Sequence, residues 1–175
     1  MPAGPPHILK NFCGCYIYLS YTKSFWRSLH IGEIKIKSSY ILLIYCQDHV
    51  NIKTRAKIFT LDKGFYIYIG SCGINCSRIL RHIGLRRKKR LFWHIDYLLE
   101  RCSLKKLVII PDIDEIMLAK LLSEDKELFK EIPGFGSSDD HVNKTHLLKI
   151  KNSKIAVHII SEVLLKGSFR NVDIS

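Results

Sequence analysis

Tyr66 and Tyr68 stand two residues apart in GFYIYIGSC, and Arg78 and His82 stand four apart in SRILRH. Period two in a strand puts Tyr66, Tyr68 and Gly70 on one face and Phe65, Ile67 and Ile69 on the other. An i,i+4 spacing puts Arg78 and His82 on one side of a helix. A helix that begins just after Gly70 hangs its first turns over the tyrosine face. Two phenols, a guanidinium and an imidazole then converge on one concavity, with Tyr40 joining them from a neighbouring strand. Gly70 leaves a gap on that face where a substrate backbone can approach.

The inventory suits phosphodiester cleavage. A tyrosine near a metal can deprotonate a water, and an arginine fork can hold the charge that develops on a pentacovalent phosphate. A metal activates the water and supports the leaving oxygen, and it needs a carboxylate. Glu115 is the first candidate, because it opens a helix and points away from the Ile116/Leu118 set. Asp96 is the second. The plainer reading of Glu115 is a favourable charge at a helix N-terminus. For Asp96 it is a pair with Arg101 or with a residue of the basic loop. A row of tyrosines on a sheet is, by itself, ordinary packing.

The charge distribution points to a polyanionic partner. The formal net charge is +12, and no Asp or Glu occurs from Lys63 to Ile95. That span carries Lys63, Arg78, Arg81 and the run Arg86-Arg87-Lys88-Lys89-Arg90, whereas acids gather between Asp112 and Glu131. One positive face is therefore expected to grip backbone phosphates of nucleic acid. A composition of 47% hydrophobic and 25% charged residues is that of a globular chain. The longest apolar run, Tyr40 to Cys46, is too short to span a bilayer. The first residues, MPAGPPHILKNF, lack a charged leader with an apolar core, so the expected location is cytoplasmic, without a membrane partner.

Of the six cysteines, Cys72 and Cys76 beside His82 resemble half a zinc site, but Cys13-Gly14-Cys15 has the wrong spacing for the other half. Cys46 and Cys102 lie in apolar surroundings and are expected as small core residues. Disulfides are expected only in a host that keeps them inside the cell.

An α+β fold is expected to position these groups, with a central antiparallel sheet flanked by helices. SYILLIYC is a buried strand. NIKTRAKIF alternates Ile52, Thr54, Ala56 and Ile58 against polar residues, as a half-exposed strand does. Asp62-Lys63-Gly64 is a turn, FYIYIG is the third strand, and the three make a meander. A helix follows from about Asn75 to Leu85, FWHIDYLLE forms a second helix, and LKKLVIIP is a strand closed by Pro111. Asp112 or Asp114 caps a third helix through about Lys130, with Ile116, Leu118, Leu121, Leu122 and Leu128 as its apolar set. PGFGSSDD is a loop and THLLKIK a late strand. FCGCYIYLSY and HIGEIKIK have strand character, and IAVHIISEVLLK is a strand or a terminal helix.

These residues resemble the GIY-YIG nuclease superfamily. Tyr68-Ile69-Gly70 matches its second signature, and Arg78 and His82 match the helix that follows. The chain looks most like the largely archaeal, uncharacterised branch of that superfamily, a domain of unknown function. GFYIYIGSC, SRILRH, RRKKRLFWHIDYLL, Glu115, GFGSSDD and THL occur in the order of that branch, from about Ser38 to Ile150. The resemblance implies that Tyr40, in Ser38-Ser39-Tyr40, stands for the tyrosine of the first signature, with Ser38 in the place of its glycine. Gly14-Cys15-Tyr16 looks more like that signature but lies far upstream. It further implies that Arg78 is the catalytic arginine, that Glu115 holds the divalent metal, and that Tyr68 and His82 shape the phosphate site. Asp140 stands where relatives carry a cysteine.

The expectation is a Mg²⁺- or Mn²⁺-dependent endonuclease acting on DNA, structured or damaged DNA included. Tyr40 would act as general base through a metal-bound water, Arg78 would stabilise the transition state, and Lys63, Arg81 and Arg86 to Arg90 would hold nucleic acid. A phenol with a resting pKa of about 10 needs help to act at neutral pH, and the metal and Lys63 are the helpers in view. The expected organisation is an extension over 1–37, the nuclease domain over 38–151 and a terminal element over 152–175. The rival expectation is a non-catalytic module on the same fold that binds nucleic acid, RNA included. A zinc-stabilised interaction domain is the third.

Overall fold

A computed structural model describes residues 9–10, 16–17, 38–73, 77–82, 90–111 and 113–152. The strands are β1 (Leu9–Lys10), β2 (Tyr16–Ile17), β3 (Ser38–Cys46), β4 (Val50–Lys53), β5 (Ile58–Leu61), β6 (Gly64–Ser71), β7 (Ser103–Pro111), β8 (Phe129–Glu131) and β9 (Leu147–Ile150). The helices are α1 (Ser77–His82), α2 (His94–Leu99) and α3 (Glu115–Glu124). The fold is α+β. HIGEIKIK, Arg86 to Lys89, Asp112 and IAVHIISEVLLK lie outside the described residues.

The central sheet has the order β7-β3-β6-β9-β8, and every pairing in it is antiparallel. β3 pairs with β6 directly, from Ser39 against Ser71 to Cys46 against Gly64. The expected three-strand meander is therefore corrected. The stretch between these strands is an excursion, a β4–β5 hairpin that forms its own two-stranded sheet.

Thr54 breaks the expected long strand. Its hydroxyl donates to the Lys57 carbonyl at 2.8 Å and accepts from the Lys57 N–H at 3.1 Å, closing a turn. The alternation changes phase across that turn. Ile52 and Thr54 are buried as expected, but Ala56 and Ile58 face solvent while Phe59 and Leu61 go inside.

Both faces of the sheet are covered, so β3 is apolar almost throughout rather than alternating. On one face Ile41, Leu43, Ile67, Ile69, Val108 and Leu148 pack against Leu118 and Ala119 of α3. On the other, Tyr40, Leu42, Ile44, Tyr66, Tyr68 and Leu107 form a second core. Ile79 of α1, Ile95 and Leu98 of α2, the hairpin residues Ile52 and Phe59, and Phe135 cover it. The tyrosine face is thus an interior.

Asp114 caps α3, its Oδ1 accepting from the Met117 N–H at 2.8 Å. The helix ends at Glu124 rather than near Lys130, and β8, absent from the sequence expectation, occupies Phe129–Glu131. Ile116, expected in the apolar set, is 39% exposed on the outer side. Cys46 and Cys102 are buried as expected but are joined in a disulfide, with Cα atoms 4.5 Å apart. Register explains this: Tyr45 pairs with Ser103, so the next residue outward on each strand meets the other. Among the described residues no helix is long and apolar enough to cross a membrane.

Candidate functional site

Tyr40 sits opposite Gly70 in the β3–β6 ladder, on the same face as Tyr68. Their ring centroids are 6.4 Å apart. The Tyr40 phenol lies across Gly70: a Cβ there would come within 2.5 Å of the ring Cζ and the hydroxyl oxygen. The gap expected at Gly70 for a substrate is therefore filled by Tyr40. The glycine is required by close approach, since its backbone φ is ordinary.

α1 lies over this pair. The His82 ring centroid is 5.8 Å from that of Tyr40 and 6.0 Å from that of Trp93. Trp93, just before α2, carries two cations on its ring, with the Arg78 guanidinium carbon at 5.6 Å from the centroid and that of Arg81 at 4.9 Å. Cation–π contacts of this kind hold a guanidinium plane while leaving its N–H groups available. Arg78 also packs on Gly73, a residue with φ +65° in the turn after β6. Tyr40, Tyr68, Arg78 and His82 thus share one side of the sheet.

The charge of Glu115 bears on the same phenols. The Ser39 hydroxyl donates to the Ile113 carbonyl at 2.7 Å, tethering the start of α3 to the start of β3. The Glu115 carboxylate, which opens α3, is close enough to raise the pKa of both Tyr40 and Tyr68. Tyr40 is pushed well above the usual phenol value by burial first and by Tyr68 next, with Arg78 opposing. Burial likewise raises Tyr68, with Glu115 and Asp139 adding to it and Arg78 opposing. Both phenols are therefore protonated at neutral pH.

Asp96 is placed differently from its expectation as a metal ligand. It is fully buried and serves as an anchor. Arg81 Nη2 donates to its Oδ2 at 2.7 Å, as do the N–H groups of Phe92 (3.0 Å) and Trp93 (3.1 Å). His82 Nδ1 lies 3.5 Å from its Oδ1, an electrostatic contact without a formed hydrogen bond. Burial by itself would raise this carboxyl. The contacts from His82, Arg81 and the two backbone N–H groups outweigh it and hold Asp96 well below the usual carboxylate range. Its partner is Arg81, not Arg101. Arg81, expected on nucleic acid, is committed to this anchor and to the Arg90 carbonyl, which its Nη2 reaches at 2.5 Å.

The loop after β8 closes the far side. Phe135 is fully buried, edge-on to Tyr68 at 6.2 Å and to Phe59 at 4.9 Å. Gly136 has φ +76°, and a Cβ there would lie 2.9 Å from the Tyr68 ring. Its N–H donates to His94 Nδ1 at 2.8 Å, so that nitrogen is unprotonated and the proton sits on Nε2. Burial, then Lys57, lowers the His94 pKa in keeping with this. Asp140 pairs with His146 Nε2 at 2.7 Å and accepts from the N–H groups of Val142 and Asn143. It pins the loop to β9.

Lys63 is exposed in the turn at the opposite end of β6. Seven residues of strand at ~3.3 Å each put it about 23 Å from Gly70, so it cannot assist the phenols. Arg90 is exposed beside the cluster, and Arg86 to Lys89 lie outside the described residues. The side chain of Tyr16 and all of Cys76 also lie outside them, so the upstream signature and the zinc reading gain no geometry. Among the described residues no group of three or more His, Cys, Asp or Glu side chains gathers as a metal ligand set.

Sequence reasoning missed Ser39, Trp93, Gly136 and Asp139. Trp93 and Gly136 had a signal, since they belong to the quoted WHIDYLL and GFGSSDD motifs. Asp139 shares the GFGSSDD signal, whereas the hydrogen bond of Ser39 to Ile113 had none, because its partner is 74 residues away.

The family model described as domain of unknown function DUF123 matches residues 39–167. No curated protein and no solved structure matches the chain.

Proposed function

The chain belongs to the DUF123 family, and from that premise and the geometry of its tyrosine–arginine cluster we propose that it is a divalent-metal-dependent endonuclease hydrolysing phosphodiester bonds in DNA. One observation carries the reading. Tyr40, Tyr68, His82 and Arg78 converge on one face of the sheet, and the charge of Glu115 bears on both phenols. The resemblance to GIY-YIG nucleases supports the same roles.

Arg78, half-exposed on the Trp93 ring, is placed to donate to a phosphate oxygen and to the charge that grows on it in the transition state. Tyr40, protonated at rest, would serve as the base for the attacking water only after a bound cation had lowered its pKa and its own proton had passed to solvent, and Tyr68 and His82 fix its ring. Glu115 is the residue that would hold Mg²⁺ or Mn²⁺. The donor chemistry fits, because Glu115 is a hard oxygen ligand whose charge bears on both phenols. When bound, the cation supplies positive charge that activates water and lowers the phenols. Arg90 and the run before it, in a chain of net charge +12, grip the backbone of the nucleic acid.

The test is cleavage of a panel of duplex, flapped, branched and single-stranded DNA with Mg²⁺ or Mn²⁺. Arg78→Ala should lower the rate by about 10²–10³ with little change in ground-state affinity. Glu115→Gln should lower activity and raise the metal requirement. An Arg78→Ala protein that cuts as fast as the parent ends this mechanism. The burial of both phenols favours a second reading, a module that binds nucleic acid without cutting it. Tight binding by a parent that cleaves nothing with either metal would establish that reading instead.

A further inference from the structure

A cleft of about 540 Å³ opens between the β4–β5 hairpin and α2, apart from the tyrosine cluster. Asn51, Ile52 and Lys53 line it from β4, and Leu91, Tyr97 and Arg101 from the segment around α2, with Glu100 at its rim. We propose that this cleft seats an unpaired nucleotide of the nucleic acid whose backbone passes Arg78. The proposal rests on the nucleic-acid reading above and extends it to the class of substrate.

The volume lies within the 300–1,000 Å³ range of small-ligand sites. The lining supplies each part of a nucleotide with a partner. Lys53 and Arg101 are exposed, and among the described residues neither is in an ion pair, so both can meet a phosphate. Tyr97 offers a ring for stacking, with its hydroxyl donating to the Leu91 carbonyl at 3.4 Å. Asn51 Oδ1 accepts from the Thr60 hydroxyl at 2.9 Å, so its amide Nδ2 is the group left to donate to a base edge. An acidic peptide would use the two cations but not the ring with an amide beside it. A base stacked within a duplex offers neither its face nor its pairing edge, so the occupant is unpaired.

The path between the two sites is fixed. Arg90 to Trp93 joins them, with Leu91 lining the cleft and Trp93 carrying Arg78 and Arg81. Arg81 holds the Arg90 carbonyl, and Arg55 of the hairpin reaches the Leu91 carbonyl at 3.5 Å. Between them stands Phe92, 62% exposed, where a strand leaving the tyrosine cluster would cross.

The experiment compares binding of a blunt DNA duplex with binding of the same duplex carrying a short oligothymidylate overhang. The proteins are the parent, the Lys53→Ala/Arg101→Ala double variant and Tyr97→Leu, each checked by thermal melting. The parent should prefer the overhang. The double variant should lose that preference, keep its affinity for the blunt duplex, and show a salt slope on the overhang shallower by about 1.4, two contacts at ~0.7 each on a single strand. Tyr97→Leu should weaken overhang binding on the order of tenfold with an unchanged salt slope. Folded variants that keep the parent's preference, or that lose blunt and overhang binding equally, overturn the subsite and leave the nuclease reading standing. A parent that binds neither DNA overturns both.

Discussion

Replacing Gly70 by alanine tests the claim that this glycine exists to admit the Tyr40 ring. The new Cβ would lie 2.5 Å from the ring Cζ and hydroxyl oxygen, and 3.0 Å from Cε2. Ordinary contact needs close to 1 Å more. The ring has nowhere to go, because it is 1% exposed and flanked by Tyr68 and His82. Overpacking of this kind costs about 1–3 kcal/mol, and the hard contact with two ring atoms places Gly70→Ala in the upper part of that range. Against it stands a gain of about 0.5 kcal/mol from the stiffer unfolded chain. The expected net loss is about 2 kcal/mol, read as a fall of about 4–8 °C in melting temperature for a chain of this length. Urea unfolding should give the same loss through the midpoint with an unchanged slope. Tyr40→Phe should not relieve the effect, because the Cζ contact survives. In a Tyr40→Ala background, itself destabilised by about 3–5 kcal/mol, Gly70→Ala should be neutral or stabilising by about 0.5 kcal/mol. That leaves a coupling of about 2.5 kcal/mol between the two positions. Equal losses from Gly70→Ala in both backgrounds, or a loss below about 0.5 kcal/mol in the parent, would show that the ring does not dictate this residue.

Gly136→Ala meets both a Tyr68 ring atom at 2.9 Å and a backbone at φ +76°; it should cost about 2–4 kcal/mol in urea unfolding, from strain and overpacking together. Reduction, or Cys46→Ala, should remove about 4 kcal/mol of stability by the chain-entropy relation for a disulfide spanning 56 residues. Melting with and without reductant measures it, and a thiol titration should find two more groups after reduction. Asp96→Asn should cost about 3–5 kcal/mol at neutral pH, because Arg81 loses its buried partner. The sign with pH follows from a folded pKa held below the unfolded one. The Asp96 contribution is complete above the unfolded value of about 3.9 and fades as pH falls below it through the folded value. Parent and variant should therefore converge in acid, and a gap that stays constant down to unfolding would count against the anchor.

Local periodicity was enough to divide FYIYIG into an Ile67/Ile69 face and a Tyr66/Tyr68 face, and the sheet keeps that division. It was enough to set Arg78 and His82 on one side of a helix, to place the strand that ends at Pro111, and to leave GFGSSDD as a loop. These features depend on neighbours within about one helical turn, so the order of residues carries them. NIKTRAKIF failed because its alternation runs unbroken through Thr54, while the turn that breaks it is a side-chain contact with Lys57. Cys46 and Cys102, 56 residues apart, meet only because Tyr45 is in register with Ser103. The segment that opens α3 with Glu115 is tied to the start of β3 through the Ser39–Ile113 hydrogen bond, across 74 residues. Asp96 became a buried anchor because Arg81, itself on α1, faces α2 in the packed core. Gly70 follows the same logic, since its lack of a side chain answers a ring on another strand. Strand register and helix docking arise from the packing of the whole interior, and no local pattern encodes which distant side chain will stand opposite.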